Sequence, residues 1–484
     1  MQSQKSLPLS TRIQSSLARS RFLTFSVLIH VIIVVMAGSV VLFRPANEPQ
    51  FPMINVGPPI DQDPIPPQTE QPMTPSDSPH VLDPKITSPS IKSIQTASTD
   101  TSFQMPVSAS LPQISLRSET GSNASSIKLA HGAGSNIPAS MSGRFGGTMR
   151  EAQMRNKQKE SSERAVLAGL NWLKEHQNSD GSWSNEFKPG MTGLATLCFL
   201  GHGELQNSVE YGPTVQAAIK WLLARGGEFD GKMSLTKDGW GGNAGVYEHA
   251  ICTYALGEYF SLTQDDAAKD TLAKAIKYIV DGQNEDGGWK YAYAKGGVSD
   301  TSVTGWQVQA LKAAHLTALG LPGVDEALDK CMLYLKSAQC ADGGFGYHGQ
   351  AEERYGLGGV GTLCTYFWKQ NKDKLVRDGI KYIIDRTKNA EPVVYKGSKA
   401  DLYGWYYNTQ ACLMFGNATW DQWNRWFQEE ISSAQANDGS WPPMANAGVG
   451  GLQTKADGAG PYYRTTLCVL MLEVYYRNLP ANKS

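Results

Sequence analysis

Glu248 and His249 stand side by side in "YEHAICTY" and are the best-placed acid and base in the chain for general acid/base work. On a helix, however, adjacent side chains diverge by about 100°, so the two need not share a proton. Asp300, in "GVSDTSVTGWQVQAL", is a second weak catalytic candidate. With a reference pKa of about 3.9 a solitary aspartate ionises at neutral pH, and just ahead of Thr301 it would cap a helix. Further polar and aromatic residues gather where apolar segments begin: Tyr247, Thr301, Trp306, Glu353, Tyr355, Tyr403, Trp405, Tyr406, Tyr462, Tyr463 and Arg464. Such a set suits the rim of a ligand cavity for a peptide, glycan or lipid, or else caps helices and fills an interior. The seven cysteines are dispersed with no CxxC, in runs such as "TLCFL" and "TLCVLML", and read as small core thiols. No ligand set for a structural metal stands out, and no cofactor is expected. A net charge of -1 gives no reason to expect nucleic acid as a partner.

The elements that must position these residues repeat. "QNEDGGW" at Gln283 has near copies at Gln177, Gln339 and Gln435. Ahead of each lies a helical stripe: Val166, Leu170 and Leu173 before Gln177, Leu272, Ile276 and Ile279 before Gln283, and Leu328, Met332 and Leu335 before Gln339. The same frame exposes two degenerate copies at Gly226 and Thr387, giving six repeats of about fifty residues. After each turn comes a second segment, such as "TSVTGWQVQALKAAHL", that is apolar or uncharged on every side, whereas the first carries a charged face, as in "DDAAKDTLAKAIKYIVDG". An amphipathic helix belongs outside and an apolar one inside, so the pattern predicts an all-α, six-outer, six-inner barrel. An open solenoid would need atypical capping repeats, and both terminal turns are complete. The turn itself reads as frame: Gln bonding free backbone groups at its helix end, Asp-Gly turning tightly, and the aromatic packing back.

"KAIKYIVDGQNEDGGW" resembles the QW repeat of squalene-hopene cyclases, and "NWLKEHQNSDGSW" resembles it too. The likeness covers roughly Glu163 to Pro480 and implies the α/α-toroid superfamily, which also holds protein prenyltransferase β subunits and complement-type thioester domains. Activity follows less readily. The cyclases' Asp-x-Asp-Asp-Thr acid cluster is similar to this chain only at Asp300-Thr301, with Gly297 and Ser299 where the other acids belong. The prenyltransferase zinc site would need an Asp where Thr362 precedes Cys364 and a His where Arg464 and Thr465 stand. The thioester string Cys-Gly-Glu-Gln is missing from the sequence.

Ahead of the repeats, Phe22–Phe43 is a nearly uninterrupted apolar run that would measure about 33 Å as a helix, enough to span a bilayer. Lys5, Arg12, Arg19 and Arg21 precede it, so the positive-inside rule leaves residues 1–21 in the cytoplasm. The run outlasts the apolar region of a cleaved signal peptide, the rival reading. Residues 44–150 read as a linker, with fifteen prolines between 45 and 113 and a Ser/Gly-rich remainder. About a hundred residues of flexible coil would average roughly 55 Å end to end. The folded domain is then 151–480. Ser26 and His30 share one face of the membrane helix, with His30 about 12 Å below the cytoplasmic edge. An ionisable group at that depth points to a protein partner. The pair, with the proline-rich stretch behind it, resembles the anchor of TonB-type energy-transducing proteins, which implies motor subunits of the ExbB/ExbD type as partners; nothing after the linker resembles TonB. The expectation is a single-pass protein of a bacterial inner membrane whose periplasmic toroid binds or scaffolds without catalysis. The alternative is a squalene-hopene cyclase-like terpene cyclase with an altered acid.

Overall fold

A computed structural model describes residues 137–479, apart from 237, 238, 243, 369–371 and 446–450. The predicted membrane segment with Ser26 and His30, and linker residues 44–136, lie outside the described residues. Among those described, no helix is long and apolar enough to cross a membrane.

The described residues are helical, joined by turns with isolated bridges and no β-strand. Six outer helices, α2 (Glu160–Glu175), α4 (Gly212–Glu228), α6 (Asp266–Gly282), α8 (Val324–Ala338), α10 (Lys374–Asn389) and α12 (Asn417–Ser433), alternate with six inner ones. The inner set is α3 (Lys188–Gly201), α5 (Gly245–Thr263), α7 (Thr301–Leu316), α9 (Tyr355–Phe367), α11 (Leu402–Phe415) and α13 (Gly460–Leu472). Pattern decides which is which. In α6 the buried residues Ala268, Leu272, Ala275, Ile276 and Ile279 form one stripe, while α5 is buried on every side from Gly245 to Leu262. Each inner helix packs on the next, and α13 returns to α3, so the ring is closed.

The QW turns fasten the outer ring, by a geometry the sequence did not suggest. Each glutamine was expected to bond free backbone groups at the end of an outer helix. Its amide nitrogen donates twice, across the turn and onto the next outer helix. Gln177 reaches Gly181 O and Thr214 O (2.9 and 3.0 Å), Gln283 reaches Gly287 O and Ala327 O (2.8 and 2.7 Å), and Gln339 reaches Gly343 O and Leu375 O (3.3 and 2.8 Å). Gln435 closes the circle through Gly439 O and Ala165 O of α2 (2.9 and 2.8 Å). The turn tryptophans do pack back: the indole N–H of Trp183, Trp289 and Trp441 donates to Leu173 O, Ile279 O and Ile431 O in the last turn of the preceding helix. Gly287 and Gly439 hold φ of 94° and 91°, and a Cβ on either would strike a carbonyl of the next outer helix, Lys330 or Ala168.

The folded domain starts earlier than composition suggested. Residues 139–150, assigned to the linker for want of periodicity, form the 3-10 turn Ala139–Arg144 and the first half of α1 (Gly146–Arg155). They seat on the C-terminal helix α14 (Val474–Arg477), with Leu479 N–H donating to Ser140 O at 2.8 Å. Arg144 enters the base of the barrel fully buried. It pairs with Glu258 of α5 at 2.8 Å, and its Nε donates to Arg477 O at 2.8 Å. Arg477 in turn donates to Tyr254 on α5 and Tyr406 on α11, opposite walls of the ring, at 3.3 Å each.

A chain starting at 151 leaves Glu258 with only the longer Arg477 contact at 3.7 Å, which costs less than the about 3–5 kcal/mol of a fully stranded buried charge but still weakens the base. That chain should melt below one starting at 137, measured by circular dichroism. Gly439→Ala should lose about 2 kcal/mol or more by strain and collision. Gly227→Ala, on α4 with nothing within 4 Å, should gain about 0.5–1 kcal/mol in urea titrations.

Candidate functional site

Inner helices start, and QW turns lie, at one mouth of the barrel, and α7 carries its most polar entry. Asp300 caps α7: its Oδ1 accepts from the backbone N–H of Ser302 (2.8 Å) and Val303 (3.0 Å) and from the Ser302 hydroxyl (2.5 Å). Its own N–H donates to Trp289 O at 2.9 Å, tying the cap to the third QW turn. Asp300 Oδ2 accepts no hydrogen bond from the described residues and lies 3.8 Å from Nε2 of half-exposed His348. Burial, the largest influence, raises the Asp300 carboxyl above the usual aspartate value, with the three Oδ1 donors and His348 opposing.

Tyrosines crowd around this carboxylate. The Tyr247 hydroxyl lies 2.8 Å from Ser302 Oγ and 3.2 Å from the Tyr291 hydroxyl, and the Tyr347 ring lies 5.7 Å from that of His348. Tyr403 adds a buried hydroxyl with no hydrogen-bond partner in the described structure. Burial first, and the charge of Asp300 among lesser causes, raises the phenols of Tyr247, Tyr291, Tyr347 and Tyr403, that of Tyr347 to about 12.

Below the mouth, large aromatic side chains of the inner helices are buried. Trp306, Trp405 and Tyr407 are fully buried, and Tyr406 and Tyr463 nearly so. Tyr407 of α11 reaches over α9: its ring lies 6.4 Å from Trp306 of α7, and a Cβ at Gly305 would stand 3.2 Å from its hydroxyl.

The other predicted rim residues disperse. Thr301 bonds Gly346 O and the Tyr334 hydroxyl at 2.7 and 2.9 Å. Glu353 accepts from Tyr382, and Tyr355 pairs with Thr387 at 2.6 Å, both on α10. Tyr406 faces Arg477 at the base. Tyr462 packs on Trp172 of α2 at 5.2 Å, and buried Arg464 donates to Trp441 O at 2.9 Å, holding the last turn.

Glu248 and His249 do not form an acid/base pair. His249 Nδ1 accepts from Met233 N–H at 3.0 Å, and Nε2 bonds Ala275 O on α6 at 2.9 Å. It thus takes the place of the glutamine that the second repeat lacks, joining the turn after α4 to the next outer helix. Burial chiefly lowers it to about 4, so it stays neutral. Glu248 faces Gly190 of α3 instead, and burial raises it to about 7 against the Gly190 hydrogen bond and the Arg225 charge. Among the described residues no cluster of three or more His, Cys, Asp or Glu side chains could hold a metal ion.

Tyr291, Tyr347, His348, Ser302 and Tyr407 escaped the sequence reading. One signal was present: Tyr291 and Tyr347 each follow the closing aromatic of a turn, Trp289 or Phe345, by two residues.

Residues 231–478, just over half of the chain, match the prenyltransferase alpha-alpha toroid domain, and the chain belongs to that family. No curated protein matches it. Among solved structures, it is similar to the type II terpene cyclase MstE from Scytonema, at 12% identity and TM-score 0.46 over 65% of this chain and 98% of that one. It is also similar to the GH76A alpha-1,6-mannanase from Salegentibacter sp. HEL1_6, at 13% identity and TM-score 0.48 over 65% and 99%. Likeness at this level carries no activity across.

A carboxyl raised on folding contributes stability that is complete below its unfolded value and lost as pH rises through its folded one. For Glu248 that window runs from 4.5 to about 7. Glu248→Gln should therefore gain on the wild type by about 3 kcal/mol between those limits, read from urea midpoints across pH. His249, lowered on folding, has the opposite sign: its contribution is present above 6.5 and lost as pH falls through about 4.

Proposed function

We propose that this chain is a single-pass protein of a bacterial inner membrane whose periplasmic toroid is a non-catalytic recognition or scaffolding head. It is carried on the proline-rich tether and coupled through Ser26 and His30 to a proton-driven motor of the ExbB/ExbD type. The observation that carries the non-catalytic reading is the set of large aromatic side chains buried inside the barrel. Cyclisation of a polyene needs a chamber in which the chain can fold, and here Tyr407, Trp306 and Trp405 occupy the interior, while Arg477 bridges opposite walls. The acid is also isolated. Ser299, where a partner carboxylate would stand, donates through both its N–H and its hydroxyl to Asp286 (2.7 and 2.5 Å). A peptide, glycan or lipid would then be met at the mouth and not inside.

The cyclase reading retains one observation in its favour, the buried Asp300 carboxyl with an unbonded Oδ2. Incubation of the full chain in detergent with squalene separates the two. The expected outcome is no cyclic product by gas chromatography; a product abolished by Asp300→Asn would establish the enzyme. For the anchor, His30→Ala should leave the protein inserted but no longer co-purifying with ExbB/ExbD-type subunits. Equal recovery with wild type would remove the coupling.

A further inference from the structure

Resting on the recognition-head reading, we propose that Asp300 and its tyrosines form a receptor for an alkylammonium group, reached from solvent by displacement of the His348 side chain. The carboxylate is asymmetric. Oδ1 already accepts three donors, whereas Oδ2 is buried and accepts none from the described residues. A guanidinium binds carboxylates best through two parallel bonds, which needs both oxygens. A compact ammonium needs only one. Tyr247, Tyr291, Tyr347 and Tyr403 supply the second part of such a receptor, since aromatic rings attract a desolvated cation and lodge the alkyl stem.

The entrance is a single side chain. His348 lies 3.8 Å from Oδ2, and its side chain is 47% exposed. It sits on a short hairpin held by Tyr347 N–H to Ala351 O at 2.8 Å and Ala351 N–H to His348 O at 3.2 Å. Turning that half-exposed imidazole aside is the movement the receptor requires. Burial already disfavours the bare carboxylate, and an ammonium in place of the imidazole supplies the missing counter-charge. Arg354, 5.2 Å over the Tyr347 ring, shows that this mouth already holds one cation on an aromatic face.

Isothermal titration of the full chain in detergent micelles tests the site with three probes: Nα-acetyl-lysine amide, choline, and Nα-acetyl-norleucine amide as the uncharged control. The lysine probe represents a peptide and choline a lipid headgroup, and whichever binds more tightly names the source. Asp300→Asn keeps the oxygen that caps α7, so it should fold with an unchanged helical spectrum yet bind the better cation at least tenfold more weakly. His348→Ala should tighten that binding. Equal affinity in Asp300→Asn and wild type, binding of the norleucine probe as tight as the lysine probe, or no heat from either cation would overturn the receptor. None of these outcomes bears on the recognition head itself, which stands or falls on the squalene and His30→Ala experiments.

Discussion

A glutamine amide in four of the six turns, donating to two carbonyls, is the interaction on which the ring depends. Packing of apolar helices alone would allow an open spiral, because hydrophobic burial is non-directional. The Gln side chain adds direction: at four junctions it fixes an outer helix against the next at hydrogen-bond distance, and Gln435 to Ala165 makes the last repeat a neighbour of the first. Where the second repeat lacks its glutamine, His249 supplies the same two-ended link from an inner helix. A neutral imidazole, donor at one nitrogen and acceptor at the other, can join a backbone N–H to a carbonyl as no amide nitrogen can.

A closed ring of glycine-rich inner helices still leaves an axis to be filled, and the two ends solve this differently. At the base, charge crosses the lumen: Arg144 and Arg477 share Glu258, and Arg477 reaches two phenols on opposite walls. Below the mouth, aromatic rings cross it, with Tyr407 extending over α9 toward α7. The base therefore locks the start and end of the described domain together, since Arg144 lies near the first described residue and Arg477 near the last.

The same residue type does different work according to its surroundings. Asp180 and Asp438 are mostly solvated, accept from Ser182 and Ser440, and are held below the usual carboxylate value by those bonds acting against slight burial. Asp300 makes similar bonds through one oxygen, but sits in the barrel mouth, and there burial outweighs the hydrogen bonds. That asymmetry, one oxygen bonded and one bare, sets it apart as a site.

The sequence by itself determined the helices, their alternation and the six turns, because each is encoded locally: a stripe at helical spacing, an Asp-Gly turn, an uncharged segment after it. It also contained the Asp300 cap, which needs only the three residues that follow. What only the tertiary structure decided was which groups meet. Tyr247, Asp300, Tyr347 and Tyr403 come from four different repeats, Tyr407 reaches past a neighbouring helix into the space that Gly305 leaves, and Arg144 crosses from a Ser/Gly-rich segment to an acid over a hundred positions away. Rim residues chosen by their position at a helix start scattered, because the direction of a side chain follows from its phase around the helix and the glycines opposite it, and Glu248 and His249, one residue apart, consequently serve different neighbours.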